Sequence, residues 1–283
     1  MQPVTPYVTA AEFTAHPTYL DLDDLRVGIP STEAQVAELT NILLMASGFA
    51  DGHCNQPLAA HQVKVETTGA IDRDGNLVIF PTHRPVRSVE AVAYGLFPNM
   101  STVTDPVYRV DRNQTIRVQV GGRGAVRGRV DVNLTYTAGW VSTLLTADAG
   151  PGATTLTVAD PTGILPGASY RLWEPGSEET VTVSPSYVPP TTTAPPTATA
   201  VPLAAPTAYA HTTGSGWSGM PPDMRLAVVN YAISQLMRPD TASEDSYPDT
   251  SLSSGIRKDD SRKDGSGLVR DADRLLNQFA RRM

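Results

Sequence analysis

Residues 130–140 read VDVNLTYTAGW, and the fold turns on what this stretch becomes. Val130, Val132, Leu134 and Tyr136 alternate with Asp131, Asn133, Thr135 and Thr137. A period of two, rich in β-branched and aromatic residues, is the pattern of a half-buried strand, because successive strand side chains point to opposite faces. Gly139 interrupts it. In a compact domain a helix should follow closely, yet the next strong helical pattern lies at 221–238. We therefore read 130–140 as the last strand of a host domain and 221–238 as the helix that closes it. The segment 146–217 is then an insertion with its own strand pattern.

A chain of 283 residues has room for two ordinary domains and tails. Hydrophobic residues make up 40% and charged residues only 18%, so a core can form while the surface relies on Thr, Ser, Pro and Gly. Twenty-four prolines and twenty-two glycines favour short strands and long loops over large helical bundles. A single cysteine, Cys54, excludes an intramolecular disulfide and a four-thiolate zinc site. The opening MQPVTPYVTAAEF has neither a basic start nor an apolar run and is not read as a signal peptide. No stretch reaches membrane-spanning length. A net charge of −7 argues against a tight, sequence-independent grip on nucleic acid.

Before the strand at 130–140, the segment 12–27 reads as a helix and turn, broken at Pro17. Phe13, Tyr19, Leu20, Leu22 and Leu25 give it apolar groups to bury. The first strong helix is expected at 33–53, with Thr32 and Gln35 as a capping box. Its stripe is Val36, Leu39, Leu43, Ala46 and Ala50, widened by Ile42 and Phe49. Short strands follow at 62–66, 76–80, 85–94, 107–110 and 115–120, with a hairpin turn at 72–75 marked by Asp74-Gly75. They make a small antiparallel sheet.

Within the insertion, ATTLTV, SYRLW and EETVTV read as strands, and PPTTTAPPTATAVPLAAPT as an extended Pro-rich loop or linker. The small-residue stretches 147–152 and 214–219 read as hinges. Beyond the helix at 221–238, residues 240–265 hold only Tyr247, Leu252 and Ile256 to bury, so an extended arm is expected. A last helix at 267–282 carries Leu268, Ala272, Leu275 and Phe279 on one face, with Arg281 and Arg282 at its end.

No catalytic constellation emerges. His53 and Cys54 adjoin but lack convergent partners, and read as a surface histidine and a buried small thiol. The Gly-rich 121–129 lacks the Lys-Ser/Thr ending of a phosphate loop and reads as a hairpin tip. Its Arg123, Arg127 and Arg129 are candidates for contact with a channel or an acidic partner. Ser101, Ser142 and Ser169 have no nucleophile-elbow glycines. Asp21, Asp23 and Asp24 read as a solvated turn. No catalytic residue, cofactor or metal is assigned.

The order of the parts carries more information than any one of them. A helix ends in HCNQP (53–57), a strand carries Pro85-Val86 and Ser88-Val89, another ends in TYTAGW (135–140), and a helix opens PPDMRLAVVNYAISQLM (221–237). This order resembles the head–tail adaptor (connector) proteins of long-tailed, siphovirus-like bacteriophages, which sit as a ring under the portal. In that family a helix ending in a "YCGR"-like turn precedes a PV-x-SV strand, a VTYTAGY-like strand and a P-x-D/E helix. The resemblance covers 11–145 and 218–237, and the insertion departs from it. The insertion resembles small β-modules of actinobacterial phage proteins.

The resemblance implies an α+β fold: a helical adaptor domain with a small antiparallel β-sheet, an inserted all-β module (sandwich or barrel) and an extended C-terminal arm ending in a helix. The parts are 1–145 and 218–239 for the adaptor domain, 146–217 for the module, and 240–283 for the arm and helix. It implies a non-enzymatic structural protein of the virion neck, assembled in the host cytoplasm as a dodecameric ring. The portal protein and a downstream neck or tail-completion protein are its partners, with no membrane involved. DNA passes through its channel without specific binding. The resemblance favours docking of the face formed by Leu268, Ala272, Leu275 and Phe279, with Arg281 and Arg282, on the portal or a neighbouring subunit; the alternative is that this helix folds back on the helix at 33–53 or at 221–238 of its own subunit. The alternative is a carbohydrate- or surface-binding β-protein, with Tyr170, Trp173, Tyr187 and Trp217 of the inserted module stacking on sugars.

A wall with a net charge of −7 per copy offers a passing duplex no continuous basic face. Fluorescence anisotropy at physiological salt is expected to show no duplex binding. Micromolar binding that weakens steeply with salt would overturn this and point to Arg123, Arg127 and Arg129 as a basic girdle.

Overall fold

Three eleven-residue strands, β1 (His61–Ile71), β3 (Val86–Leu96) and β7 (Gly128–Ala138), form the spine of the molecule. The structure is a computed structural model and describes residues 5–18, 20, 22, 25, 31–103, 106–121, 128–190, 196–237 and 266–280. Strand β7 pairs with β1 along its whole length, from Ala138 opposite His61 to Gly128 opposite Ile71, and with β3 on its other side. Its alternation places Val132, Leu134 and Tyr136 in the core. The shorter β2 (Asn76–Ile79), β4 (Asn99–Val103), β5 (Tyr108–Val110) and β6 (Ile116–Gln119) complete a seven-stranded antiparallel sheet, ordered β4-β3-β7-β1-β2-β6-β5. Two register shifts in the β3–β7 pairing, at Val86/Ser88 and Val89/Ala91, add local twist, and the sheet curls. Leu77, Ile79, Val92, Ile116 and Val118 join the β7 side chains in its core.

The expected α+β chain built on a helical adaptor domain with a small sheet is thereby corrected. The protein is mostly β, and the large sheet is its main body. The strands are longer than their sequence pattern because Gly69, Ala70, Ala91, Ala93 and Gly95 dilute the alternation without breaking the ladder. Strand β4 carries only one strongly apolar β-branched residue, Val103, and has no sequence signature at all.

Among the described residues, four helices pack together at one end of this sheet: α1 (Ala10–Ala15), α2 (Thr32–Cys54), α3 (Pro222–Leu236) and α4 (Ser266–Leu276). A capping box between Thr9 and Glu12 starts α1, whose Phe13 is buried. Helix α2 is capped by Ser31, whose hydroxyl accepts from the Ala34 N–H, not by the expected Thr32 and Gln35 pair. Leu39, Leu43, Ala46, Ala50 and Cys54 of α2 are buried, as are Met224, Ala227, Val228 and Ala232 of α3, while Val36 faces outward.

Helix α4 docks on α2 and α3 of its own chain. Ala272 and Leu276 are fully buried there, and Val269, Leu275 and Phe279 pack partly against the same core. Asp273 accepts from the Tyr231 hydroxyl of α3 and pairs with His53 of α2 at 3.1 Å. The face expected to reach for the portal or a neighbour is thus occupied within its own subunit. The buried line also runs through Leu276 rather than Leu268, a rotation about the helix axis.

The inserted segment forms six short strands: β8 (Ser142–Leu144), β9 (Thr155–Val158), β10 (Ser169–Trp173), β11 (Glu179–Thr182), β12 (Thr199–Pro202) and β13 (Gly216–Ser218). One sheet runs β11-β10-β13-β8 and the other pairs β12 with β9. Single bridges join them on both sides, Leu145 to Val158 and Val183 to Leu203, so the strands close into a small barrel. Trp217, Tyr170, Leu156, Leu172 and Val201 fill it. Its core begins at Val141, before the expected boundary at 146. The expected hinges are part of it, since Ala149 bridges His211 and Gly216–Ser218 is a buried central strand. The Pro-rich run likewise contributes β12.

Because Leu276 sits in the shared core of α2, α3 and α4, truncating it should weaken the whole helical layer. Leu276→Ala is expected to cost about 2–5 kcal/mol, read as a lower urea midpoint for unfolding of the full chain. An unchanged midpoint would show that α4 does not rest on its own subunit.

Candidate interaction surface

The helical layer meets the sheet around one buried carboxylate. Asp51 lies on the inner face of α2, one turn before its end. Its Oδ1 accepts from the Tyr7 hydroxyl at 2.6 Å and from the Leu58 N–H at 2.9 Å. The Tyr7 oxygen in turn accepts from the Ala59 N–H at 3.2 Å, and the Tyr7 N–H donates to Ser47 Oγ. Burial pushes the Asp51 carboxyl up to about 6, against hydrogen bonds from Tyr7 and Leu58 that favour its charged form. Burial and the neighbouring Asp51 raise the Tyr7 hydroxyl as well.

The chain leaving α2 then meets the end of β7. Trp140 donates its N–H to the Leu58 carbonyl at 2.8 Å, and the Ala60 N–H donates to the Trp140 carbonyl at 2.7 Å. Gly139, at φ +99°, lies between them, and a Cβ there would fall 2.4 Å from the Ala59 oxygen. Only glycine fits this approach. Gln56 bridges further, accepting from the Arg84 N–H before β3 and donating to the Phe279 carbonyl after α4. Trp140 meets Phe279 edge-on at 5.5 Å.

Beside this joint a groove of about 860 Å³ opens between α2 and β1. Leu44, Met45, Phe49, Pro57 and Val63 give it a mostly apolar lining. Met45 and Phe49 are each 52% exposed, unusual for a helix whose other face carries the core. His61 and His83 stand at its edge, with His61 Nε2 2.8 Å from His83 Nδ1. His61 Nδ1 lies 2.8 Å from the Ala59 carbonyl and donates to it, leaving Nε2 of the neutral ring to accept from His83. Burial holds His61 below the usual histidine range.

At the far end of the sheet the β3–β4 turn exposes Leu96 at 70% and Phe97 at 81%. Arg129, in the first residues of β7, is exposed at the same end. Arg123, Arg127, Arg281, Arg282, the arm 240–265 and the turn residues Asp21, Asp23 and Asp24 lie outside the described residues. Leu268 is half-buried, and Ala272, Leu275 and Phe279 are committed to the helical core.

Tyr170, Tyr187 and Trp217 are buried inside the barrel, away from any sugar. Trp173 instead joins the barrel to the helices. The Arg225 guanidinium of α3 lies 4.2 Å over its ring and Arg171 4.8 Å over it. Arg225, itself buried, donates to the Tyr7 carbonyl at 2.6 Å and pairs with Glu12. Cys54 is buried, and its thiol is pushed up to about 12 by burial and by Asp51, which makes it inert. His211 is buried at the barrel with Glu174 2.9 Å from Nδ1 and Glu179 2.7 Å from Nε2, a clamp that also holds the Ala208 and Thr212 N–H groups. Among the described residues no group of His, Cys, Asp or Glu could hold a metal ion, and no helix is long and apolar enough to cross a membrane.

Sequence reasoning missed Tyr7, Asp51 and Arg225. The signal for Asp51 and Arg225 was a charged residue among buried positions: Asp51 follows Ala50 in the stripe of α2, and Arg225 sits between Met224 and Ala227.

The Asp51 value in the folded chain lies above the 3.8 of a free aspartate. Its stabilising contribution is therefore fully present below about pH 4 and is lost as the pH rises through about 6. Asp51→Asn lacks this titration. The unfolding free energy of the variant minus that of the wild type is expected to rise by about 2–3 kcal/mol between acid and neutral pH, measured by urea unfolding at both. A difference that stays flat would show that Asp51 is not held in this buried site.

Compared with known proteins, the chain matches no family model, no curated protein and no solved structure.

Proposed function

We propose that the chain is a structural virion protein, a head–tail adaptor subunit whose copies ring the portal and join capsid to tail. One observation carries the reading. The motifs whose order resembles the adaptor family come together at one place in the fold. The turn at 53–57 supplies Gln56, which accepts from the Arg84 N–H just before the Pro85-Val86 strand. Gly139 of the TYTAGW stretch donates its N–H to the Pro85 carbonyl. The helix that opens at Pro222 packs on α2, whose end forms that turn. Four weak motifs that meet in space behave as one structural unit, and this is what supports their reading as a family signature.

The exposed apolar groups support assembly into something larger. Leu96 and Phe97 at one end of the sheet, and Met45 and Phe49 at the other, are large side chains that a monomer leaves in water. In this proposal the neck partners are the portal on one side and a tail-completion protein on the other, and the channel passes DNA without holding it. The barrel is an addition to the minimal pattern, while two of the pattern's motifs lie on β3 and β7 of the large sheet. The sugar-binding alternative keeps only Trp173 for stacking, and two arginines already occupy its ring.

Native mass spectrometry and negative-stain microscopy of the purified full-length chain, alone and with portal, test the proposal. Closed rings alone or on the portal are the expected result. A chain that stays monomeric at every concentration and ignores the portal would overturn it.

A further inference from the structure

We propose that His61 and His83 form a pH-sensitive latch between the start of β1 and the segment leading into β3, closed while the two rings share one proton and opened when both become charged. The geometry of the pair carries the inference. His61 Nε2 and His83 Nδ1 lie 2.8 Å apart, with the ring centroids 5.0 Å apart and the planes tilted by 55°. His61 Nδ1 donates to the Ala59 carbonyl, so its other ring nitrogen is the one that faces His83. At this separation a single proton sits between the two nitrogens.

The pair takes up protons in two unlike steps. With both rings neutral, His83 Nδ1 donates and His61 Nε2 accepts. One further proton fits on either ring with the shared bond kept, because the bond can also run from His61 Nε2 to His83 Nδ1. The next proton puts an N–H on both facing atoms and brings two cations into contact. The bond is then lost and the rings part. Burial acts in the same direction, holding His61 below the ordinary histidine value of 6.5. Its neutral form therefore supports the folded arrangement fully above that value, and the support is lost as the pH falls below it.

The charges around the pair do not relieve it. Asp51 of α2 lines the same groove as both rings, but its carboxyl is pushed up to about 6 and gives up its charge as the pH falls through that value. Lys64 of β1 lines the groove as well and adds positive charge. Arg84, next to His83, and Arg87 of β3, which donates to the Gly139 carbonyl, add more. Glu90 of β3 is engaged by Gln62 and Thr137. Tyr7 and Tyr136 offer uncharged hydroxyl oxygens to the Ala59 and His83 N–H groups. The latch also sits at the joint of the molecule. His83 directly precedes Arg84 and Pro85, which bond Gln56 and Gly139, and His61 directly follows Ala60, which bonds Trp140. Parting the rings loosens the place where the turn at 53–57, β3 and β7 meet. Histidine is suited to such a switch because its charge changes between about pH 5 and 8.

The test is hydrogen exchange of the full-length chain at about pH 8 and about pH 5, read by mass spectrometry in peptides covering 58–64 and 80–87. Exchange is read locally because Asp51 shifts overall stability the other way. His83→Asn places an amide near the Nδ1 position, where it can donate to a neutral His61 or accept from a charged one. His61→Gln does the same near Nε2, and circular dichroism checks that both variants fold. Comparing variant and wild type at one pH cancels the intrinsic pH dependence of exchange. At the higher pH all three are expected to exchange alike. At the lower pH the wild type is expected to exchange severalfold faster than either variant in both peptides, with nitrogen NMR showing both rings doubly protonated. Equal exchange at the lower pH would overturn the latch, and so would two doubly protonated rings in segments that stay protected. Loosening that the variants share would place the acid response outside the pair and overturn it as well.

Discussion

A single buried carboxylate holds the two halves of the host domain together. Asp51 ties the end of α2 to the N-terminal segment through Tyr7 and to the entry of β1 through the Leu58 N–H. Burying such a group is costly unless its hydrogen bonds are made. Here Oδ1 alone is bonded, by segments far apart in sequence, while Oδ2 is buried without a partner among the described residues; the carboxyl is therefore costly to ionise, yet its bonds favour one arrangement of helix, terminal segment and strand. Burial, and after it the charge of Asp51, raises the Cys54 thiol, which leaves the one cysteine as a packing residue.

The joint depends equally on a missing side chain. Gly139 lets the end of β7 lie against the Leu58–Ala60 backbone, where main-chain groups of both segments satisfy each other. That contact fixes where the sheet ends and the barrel begins. Val141, the second residue beyond Gly139, is already in the barrel core. The insertion therefore starts as a continuation of β7, the strand held between β3 and β1.

A buried arginine settles how the barrel sits. Arg225 projects from α3 onto Trp173 of the barrel while it pairs with Glu12 of α1 and donates to the Tyr7 carbonyl. One guanidinium thus touches the barrel, a helix and the N-terminal segment. Its planar shape suits this, offering a face to the indole and edges to oxygen acceptors. The residues that would have served as a sugar platform are spent on the barrel interior and on this junction.

The sequence by itself determined the strand at 130–140, the helices α2 and α3, the hairpin turn at Asp72–Gly75 and the existence of an inserted β segment. Each rests on local periodicity or turn chemistry, which a few neighbouring residues decide. It did not determine that the sheet would dominate the fold, because the length of β1 and β3 comes from pairing with β7 and not from their own alternation. Nor did it reveal β4, β12 or β13, whose Asn, Ser, Thr, Pro and Gly residues become strands only because a partner strand supplies the hydrogen bonds. The partners of Asp51 and Arg225 were equally hidden, since a charged residue on a buried helix face announces that it needs a counterpart without saying which. Tyr7 is separated from Asp51 by 44 residues and Glu12 from Arg225 by 213, and only the folded chain brings them together. For the same reason the amphipathic stripe of the last helix showed that it would dock, while the tertiary structure alone decided that α2 and α3 receive it.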